Sequence, residues 1–371
     1  MKILYGVQGT GNGHISRARA LNRFFRKNGV KTDFLFSGRK REAYFDMEEF
    51  GDWDCREGLT FIHEAGKVKT WSSLKNLGPM TLIRDIYSLD LSPYDIVLTD
   101  FEPIVAWAAK LRGVTCIGIG HQYAFQHNIP LRGHSSASLG IMKSFAPVKI
   151  GLGLHWHHFG QNILPPIAEV RPCDSPVNEK KILVYPGFED SDEVIQYLEQ
   201  FDDYQFVYYG PFKRYESLGH IKLKPLSRDG FQFDLATSLG VICNAGFELS
   251  SEAIQSGKKL LVKPLAGQME QLSNARALEE LQLGMTMNSL DKDITRQWLD
   301  HFQARRIVYP NVAEAIVRWV LDKSWQQEGA VEKLAQELWH RVESDSPETG
   351  KHSGPRKPST RADELRISGH A

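Results

Sequence analysis

Hydrophobic and polar positions along the chain follow two alternating rhythms. Short runs that are apolar almost throughout occur at KILYGV (2–7), TDFLFS (32–37), DIVLTD (95–100) and TCIGIG (115–120). Such runs predict parallel strands buried on both faces. Between them the period lengthens. Residues 15–28 place Ile15, Ala18, Leu21, Phe24 and Phe25 on one helical face, with Arg17, Arg19, Arg23, Arg26 and Lys27 around it. PIVAWAAKLR (103–112) opens on a proline and stops before Gly113, as a helix does. Strand, helix and strand in succession predict an open sheet with helices on both faces.

The cycle stops at 151–180, where the adjacent prolines Pro165 and Pro166 are followed by Pro172 and Pro176, marking an interdomain connection. It restarts at KILVYPG (181–187) and runs through QFVYYG, IKLKPL, GVICNAG and KLLVKPL. Helical patterns near 311–323 and 325–343 are expected to close the second half. From Ser344 the composition turns to Ser, Pro, Gly, Lys and Arg, which predicts a disordered tail. The expected division is a Rossmann-like domain over 1–165, a linker over 166–178, a second Rossmann-like domain over 179–343 and the tail over 344–371.

Composition narrows the class. A chain of 371 residues suits two domains. Hydrophobic residues at 42% and charged residues at 24% are ordinary for a globular protein. No apolar run reaches the roughly 18 residues that span a bilayer. The start has no signal-peptide layout, so the expected location is cytoplasmic. Four widely spaced cysteines without a C-x-x-C predict neither a disulfide framework nor a zinc site, and Cys116 and Cys243 read as buried thiols. Net charge is zero but uneven, because residues 1–41 hold ten basic residues and the single acid Asp33. That excess suits an anionic partner, such as a phosphorylated substrate or a lipid surface, and equally a solvated helix face. The mixed apolar and basic stretch 71–92 is compatible with a packed helix or with a peripheral contact on the inner face of the membrane. A pI near 7.2 and the lack of any nucleic-acid module exclude nucleic acid as the expected partner.

Candidate chemistry concentrates at two strand–turn–helix corners. The first strand is followed by GVQGTGNGH. Its glycines are too closely spaced for G-x-G-x-x-G, and no acid closes the next strand, so a dinucleotide site is not expected. Gly11 and Gly13 let the backbone approach a ligand and open a helix whose N–H groups favour anions. His14 then falls at the carboxyl edge of the sheet, where open α/β sheets bind ligands, and is the candidate general base. Asp100 ends a later strand at the same edge and is the candidate partner for one ring nitrogen, with Glu102 as the alternative; Asp100 as a helix cap stays open. His121, Gln122 and Tyr123 follow another strand at that edge and are candidate acceptor contacts.

The second corner lies in VICNAGFELSSEAIQSGKKLLVKPLAGQMEQ (241–271). A buried strand ends at Asn244-Ala245-Gly246 and a helix starts at Phe247. Small residues there expose N–H groups to a phosphate. Glu252 is placed to accept from a ribose diol, and Glu270 and Gln271 to bind sugar hydroxyls. Three Asp-x-Asp matches (Asp52/Asp54, Asp190/Asp192, Asp291/Asp293) follow no buried strand of a nucleotide unit, and His155, His157 and His158 have no partner acid or cysteine at a ligand spacing. No metal is assigned.

This stretch resembles the nucleotide-sugar signature of the GT-B glycosyltransferases, in particular the MurG-type N-acetylglucosaminyltransferases and the UDP-glycosyltransferases. Gly246, Glu252, Gly257, Pro264 and Glu270-Gln271 match its spacing, and GTGNGH resembles the MurG-type GGTGGH loop. The resemblance spans roughly 1–340. It implies two Rossmann-like domains facing across a cleft, with the acceptor on the first and the donor on the second. It also implies transfer from a nucleotide sugar, with a UDP-sugar as the expected donor and no further cofactor. The acceptor is open among a lipid, a glycan and a small molecule. UDP-glycosyltransferases carry His-Cys-Gly where this chain has Asn244-Ala245-Gly246, so a phosphate contact here rests more on backbone N–H groups. Retaining members usually carry Glu at the position of Asn244, so the resemblance implies inversion. A UDP-sugar hydrolase or epimerase on the same fold, or a non-catalytic nucleotide-sugar-binding protein, are the alternatives.

Overall fold

In a computed structural model of the protein, residues 1–58, 63–64, 67–68 and 79–344 are described. The expected tail beyond Ser344 and the first part of 71–92 lie outside them. The first six-stranded sheet is wholly parallel. Its strands are β1 (Lys2–Gln8), β2 (Lys31–Ser37), β3 (Asp54–Arg56), β4 (Ile96–Asp100), β5 (Cys116–Gly120) and β6 (Ile150–Gly153), in the order β3-β2-β1-β4-β5-β6. The central strands are buried almost end to end, which their unbroken apolar runs require. Helices α1 (Asn12–Lys27), α2 (Pro79–Ser88), α3 (Pro103–Leu111) and α4 (Ser136–Phe145) belong to this unit.

The second sheet has seven strands: β7 (Asn178–Tyr185), β8 (Gln205–Gly210), β9 (Glu216–Leu218), β10 (Ile221–Pro225), β11 (Ser238–Asn244), β12 (Lys259–Lys263) and β13 (Met285–Thr286). Their order is β9-β10-β8-β7-β11-β12-β13, parallel except for the edge strand β9. Helices α5 (Ser191–Leu198), α6 (Arg228–Thr237), α7 (Phe247–Gln255), α8 (Met269–Glu280) and α9 (Lys292–His301) accompany it.

The last helices, α10 (Val312–Leu321) and α11 (Ala330–His340), lean back on the first unit. Helix α10 packs against α1, and the Trp339 indole donates to the Ile163 carbonyl at 2.6 Å.

In each sheet the strand order reverses beside the first strand of the unit. One reversal lies between β1 and β4, the other between β7 and β11. Ligands of open α/β sheets bind in the crevice outside the carboxyl ends at such a point. The register puts Asp100 beside Val7, the residue before the last of β1, and Cys243 beside Tyr185, the last of β7. Both candidate corners therefore lie at switch points.

Candidate active site between two strand–helix corners

Strand β1 ends in the glycine turn, and α1 begins at Asn12 with Gly11 at its N-cap and no side chain capping it. His14 lies in the first turn of α1, with its side chain 13% exposed. Its Nδ1 is 2.6 Å from Oδ1 of Asp100, which is fully buried at the end of β4. With Asp100 ionised, Nδ1 carries the proton and donates it to that oxygen, which leaves Nε2 as the basic nitrogen.

The structure adds Arg17, three residues after His14 and so on the same face of α1. It donates Nε to Asp100 Oδ2 at 2.8 Å and Nη2 to Oδ1 at 2.7 Å, a two-pronged pair in which Arg17 is 1% exposed. Burial by itself pushes the Asp100 carboxyl up; the charges of Arg17 and His14 outweigh it and hold the group below the ordinary carboxylate range. Burial likewise pulls Arg17 down, and Asp100 more than reverses that. Arg17 Nη1 pairs in turn with Glu248 in the first turn of α7, on the second unit. Any side chain at Gly13 would run into that Glu248 carboxylate, so the glycine permits the close approach of the two corners.

Glu102, the alternative partner for His14, is engaged elsewhere. It caps α3, accepting from Ile104 N at 2.9 Å and Val105 N at 2.7 Å, and takes a further bond from the Ser37 hydroxyl at 2.7 Å. Burial pushes its carboxyl up to about 7. The cap expected as an option for Asp100 thus belongs to Glu102.

The second corner is braced from several sides. Asn244 accepts from Phe188 N at 3.3 Å and donates to Glu189 Oε1 at 3.1 Å and to the Lys263 carbonyl at 3.0 Å, tying the loop after β7 to the end of β12. Gly246 is the N-cap of α7, where no side chain caps the helix. Asn274 of α8 donates to the Ala245 carbonyl at 2.9 Å. Gln271 accepts from Leu265 N at 3.0 Å, and both oxygens of Glu270 lie 3.2 Å from Gln122 Nε2 of the first unit.

Glu252 takes a bond from Gln232 at 3.0 Å and lines a cavity of about 400 Å³, together with Ser16, Arg171, Arg228, Gln232 and Glu248. Burial pushes its carboxyl up to about 7. Glu248 and Glu252 are one turn apart, so the cavity runs along one face of α7.

Two of the expected acceptor contacts, His121 and Tyr123, lie inside the fold. His121 is fully buried: its Nδ1 lies 2.8 Å from the Leu154 carbonyl, its Nε2 lies 2.6 Å from Asn274 Oδ1, and its ring stacks on Phe247 at 4.0 Å. Tyr123 is buried with its hydroxyl on the Ala146 carbonyl at 3.2 Å. Both turn inward because the residues after β5 form a 3-10 turn over which β6 and the interdomain contact close. Phe247 is held by the same stack, which leaves its backbone N–H as the group it can offer a ligand.

Among the described residues no group of three or more His, Cys, Asp and Glu comes together as a metal site. Asp190 and Asp291 cap α5 and α9, and Asp54 pairs with Arg56. His155 is buried, and burial holds its ring well below the ordinary histidine range. Among the described residues no helix is long and apolar enough to cross a membrane.

Sequence periodicity missed Arg17, Glu248 and Asn274. By period Arg17 and Arg19 belong to the polar surround of α1, yet both are buried. Arg17's place three residues after His14 was the available signal. Nothing in the sequence pointed from α1 to Glu248.

Two Rossmann-like units with facing switch points define the GT-B class of fold. The family model of glycosyl transferase family 1 matches residues 1–305, and the chain belongs to that family. An uncharacterized glycosyltransferase of Methanosarcina acetivorans is 29% identical over 144 residues, which is 38% of this chain and 37% of that protein. The match thus spans little more than a third of that relative. The glycosyltransferase SnogD of Streptomyces nogalater superposes with a TM-score of 0.52 at 15% identity, over 92% of this chain and 99% of its own. MurG of Acinetobacter baumannii does so at 0.50 and 13%, over 86% and 99%. At these identities the likeness shows the shared fold.

Proposed function

We propose that the chain transfers a sugar from a nucleotide-sugar donor, a UDP-sugar in the first instance, to an acceptor hydroxyl with inversion at the anomeric carbon. The observation that carries this reading is the His14–Asp100 pair, set at one switch point and facing the uncapped first turn of α7 at the other. His14 Nε2 takes the acceptor proton as the new bond forms, a contribution of about 10²–10⁴-fold. The backbone N–H groups of Gly246 and Phe247 stabilise the charge that develops on the leaving diphosphate. Glu252 holds the ribose diol inside the cavity, and Glu270 and Gln271 meet the transferred sugar. Gln122, which already touches Glu270, stands on the acceptor side of that sugar.

The test incubates the purified chain with UDP-glucose, UDP-N-acetylglucosamine and UDP-galactose, each with a mixed acceptor set, and follows UDP release and the anomeric configuration of the product by NMR. A glycoside of inverted configuration is the expected product. Free sugar alone would assign hydrolysis, a C2- or C4-epimer would assign epimerisation, and a retained anomer would overturn the in-line displacement.

A further inference from the structure

The glycine turn and the second corner meet through one side chain. Arg17 sits in the interior with its guanidinium spread over three partners. Nε and Nη2 hold both oxygens of Asp100, and Nη1 pairs with Glu248 of the other unit. Nη2 also lies 3.0 Å from His14 Nδ1, so a cation stands beside the ring as well as behind its carboxylate. Gly120, at the end of β5, leaves room for this cluster: a Cβ there would come within 3.2 Å of Asp100 Oδ1 and 3.5 Å of Arg17 Nη2.

We propose that Arg17 is a positioning residue that fixes the His14–Asp100 pair and, through Glu248, makes its setting depend on the first turn of α7 in the second unit. This deepens the function proposed above and rests on His14 being the base. A carboxylate gripped at both oxygens cannot rotate, so Asp100 presents one oxygen to Nδ1 and the ring is oriented with Nε2 toward the cleft.

The charges make the same point. Asp100 sets a negative charge 2.6 Å from His14 Nδ1, and Arg17 sets a positive one 3.0 Å from it. Glu248 offsets part of Arg17's charge. Tyr5 from β1, Glu270 from α8, and His121 and Tyr123 after β5 also act on Arg17 or Asp100. Separation of the two units would remove Glu248 and Glu270 from Arg17, leaving its charge to act more fully on the pair.

The experiment reads proton uptake by the pair directly, without needing the acceptor. The His14 ring Cε1–H signal in the full-length chain is assigned by its loss in His14→Ala and titrated by NMR in wild type, Arg17→Met, Arg17→Lys and Glu248→Gln. Removing Arg17's charge should raise the pH at which the pair takes up its proton by roughly one unit. Glu248→Gln should move it the opposite way by a smaller amount, and Arg17→Lys should return it toward wild type. Turnover of the UDP-sugar that serves as donor, measured on the same proteins, should fall by at least about tenfold in Arg17→Met, with the acid limb of its pH profile displaced in the same direction.

Opposite shifts in Arg17→Met and Glu248→Gln support the assignment. Shifts of the same sign, or no shift in either, overturn it. Should Arg17→Met fail to fold, Glu248→Gln and Arg17→Lys decide by the same signs. Unchanged turnover in His14→Ala would instead remove the base, a failure of the underlying reading that the titration tells apart.

Discussion

Each unit ends the strand beside its first strand on a polar residue, and the two residues work differently. Asp100 closes β4 as a buried carboxylate held charged by Arg17 and His14. Asn244 closes β11 as a neutral amide that ties the loop after β7 to the end of β12. A carboxylate at the first corner can steer a proton on a neighbouring imidazole. An amide at the second adds no charge beside the uncapped start of α7, so the positive end of that helix stays available to an anion. Equivalent topology thus yields one corner closed by a buried, charged carboxylate and one closed by a neutral amide, and the difference is carried by the two strand-end residues and the helices that follow them.

The first corner can be disabled without touching the second. His14→Ala, and Asp100→Asn with it, should lower turnover by at least about 10²-fold, while thermal stabilisation by UDP stays near wild type. A parallel loss of UDP stabilisation would show that the two corners do not divide the work. Disabling the second corner should do the reverse. Glu252→Ala should weaken UDP binding by roughly 10–100-fold by calorimetry, because a ribose diol then loses its carboxyl partner. Turnover at saturating donor should change far less.

Asn244 is expected to act through structure. Asn244→Ala removes the bonds from the Phe188 amide and to Glu189 and the Lys263 carbonyl, at a cost of about 1–3 kcal/mol in chemical denaturation. The smallest effect concerns a carboxylate next to the first corner. Burial raises Glu102 to about 7 in the folded chain, above its unfolded value, so between those values the folded state binds more protons than the unfolded one. Stability from this group is therefore present at acid pH and lost as pH rises through about 7. The loss between pH 5 and 7 should be on the order of 1 kcal/mol, and Glu102→Gln should flatten it. A stability that rises across this range with no change in Glu102→Gln would place the titration elsewhere.

Much of the fold was legible because buried parallel strands have a plain signature. All nine of the apolar runs singled out in the sequence are strands, from KILYGV to KLLVKPL. The short strands β3, β6, β9 and β13 were not legible, because they lie at or next to a sheet edge and a few residues carry no periodicity. The pairing of His14 with Asp100 was anticipated from their shared sheet edge, and their 2.6 Å contact follows from β1 and β4 being neighbours. The inward turn of His121 and Tyr123 was not anticipated, since position after a strand says nothing of whether a following 3-10 turn faces the cleft or the core.

The sequence by itself determined the two α/β units, the glycine turn, the helix start at Phe247 and the order of both along the chain. These are local properties: backbone freedom, apolar period and helix-start chemistry act within a few residues. Tertiary packing alone buries Arg17 between Asp100 and Glu248, brings the Ser37 hydroxyl to Glu102 and seals His121 against Phe247 and Asn274. Those facts join residues far apart in sequence. The physical reason is desolvation: a charge taken out of water must find its counter-charge nearby, and which one it finds depends on how the two units meet.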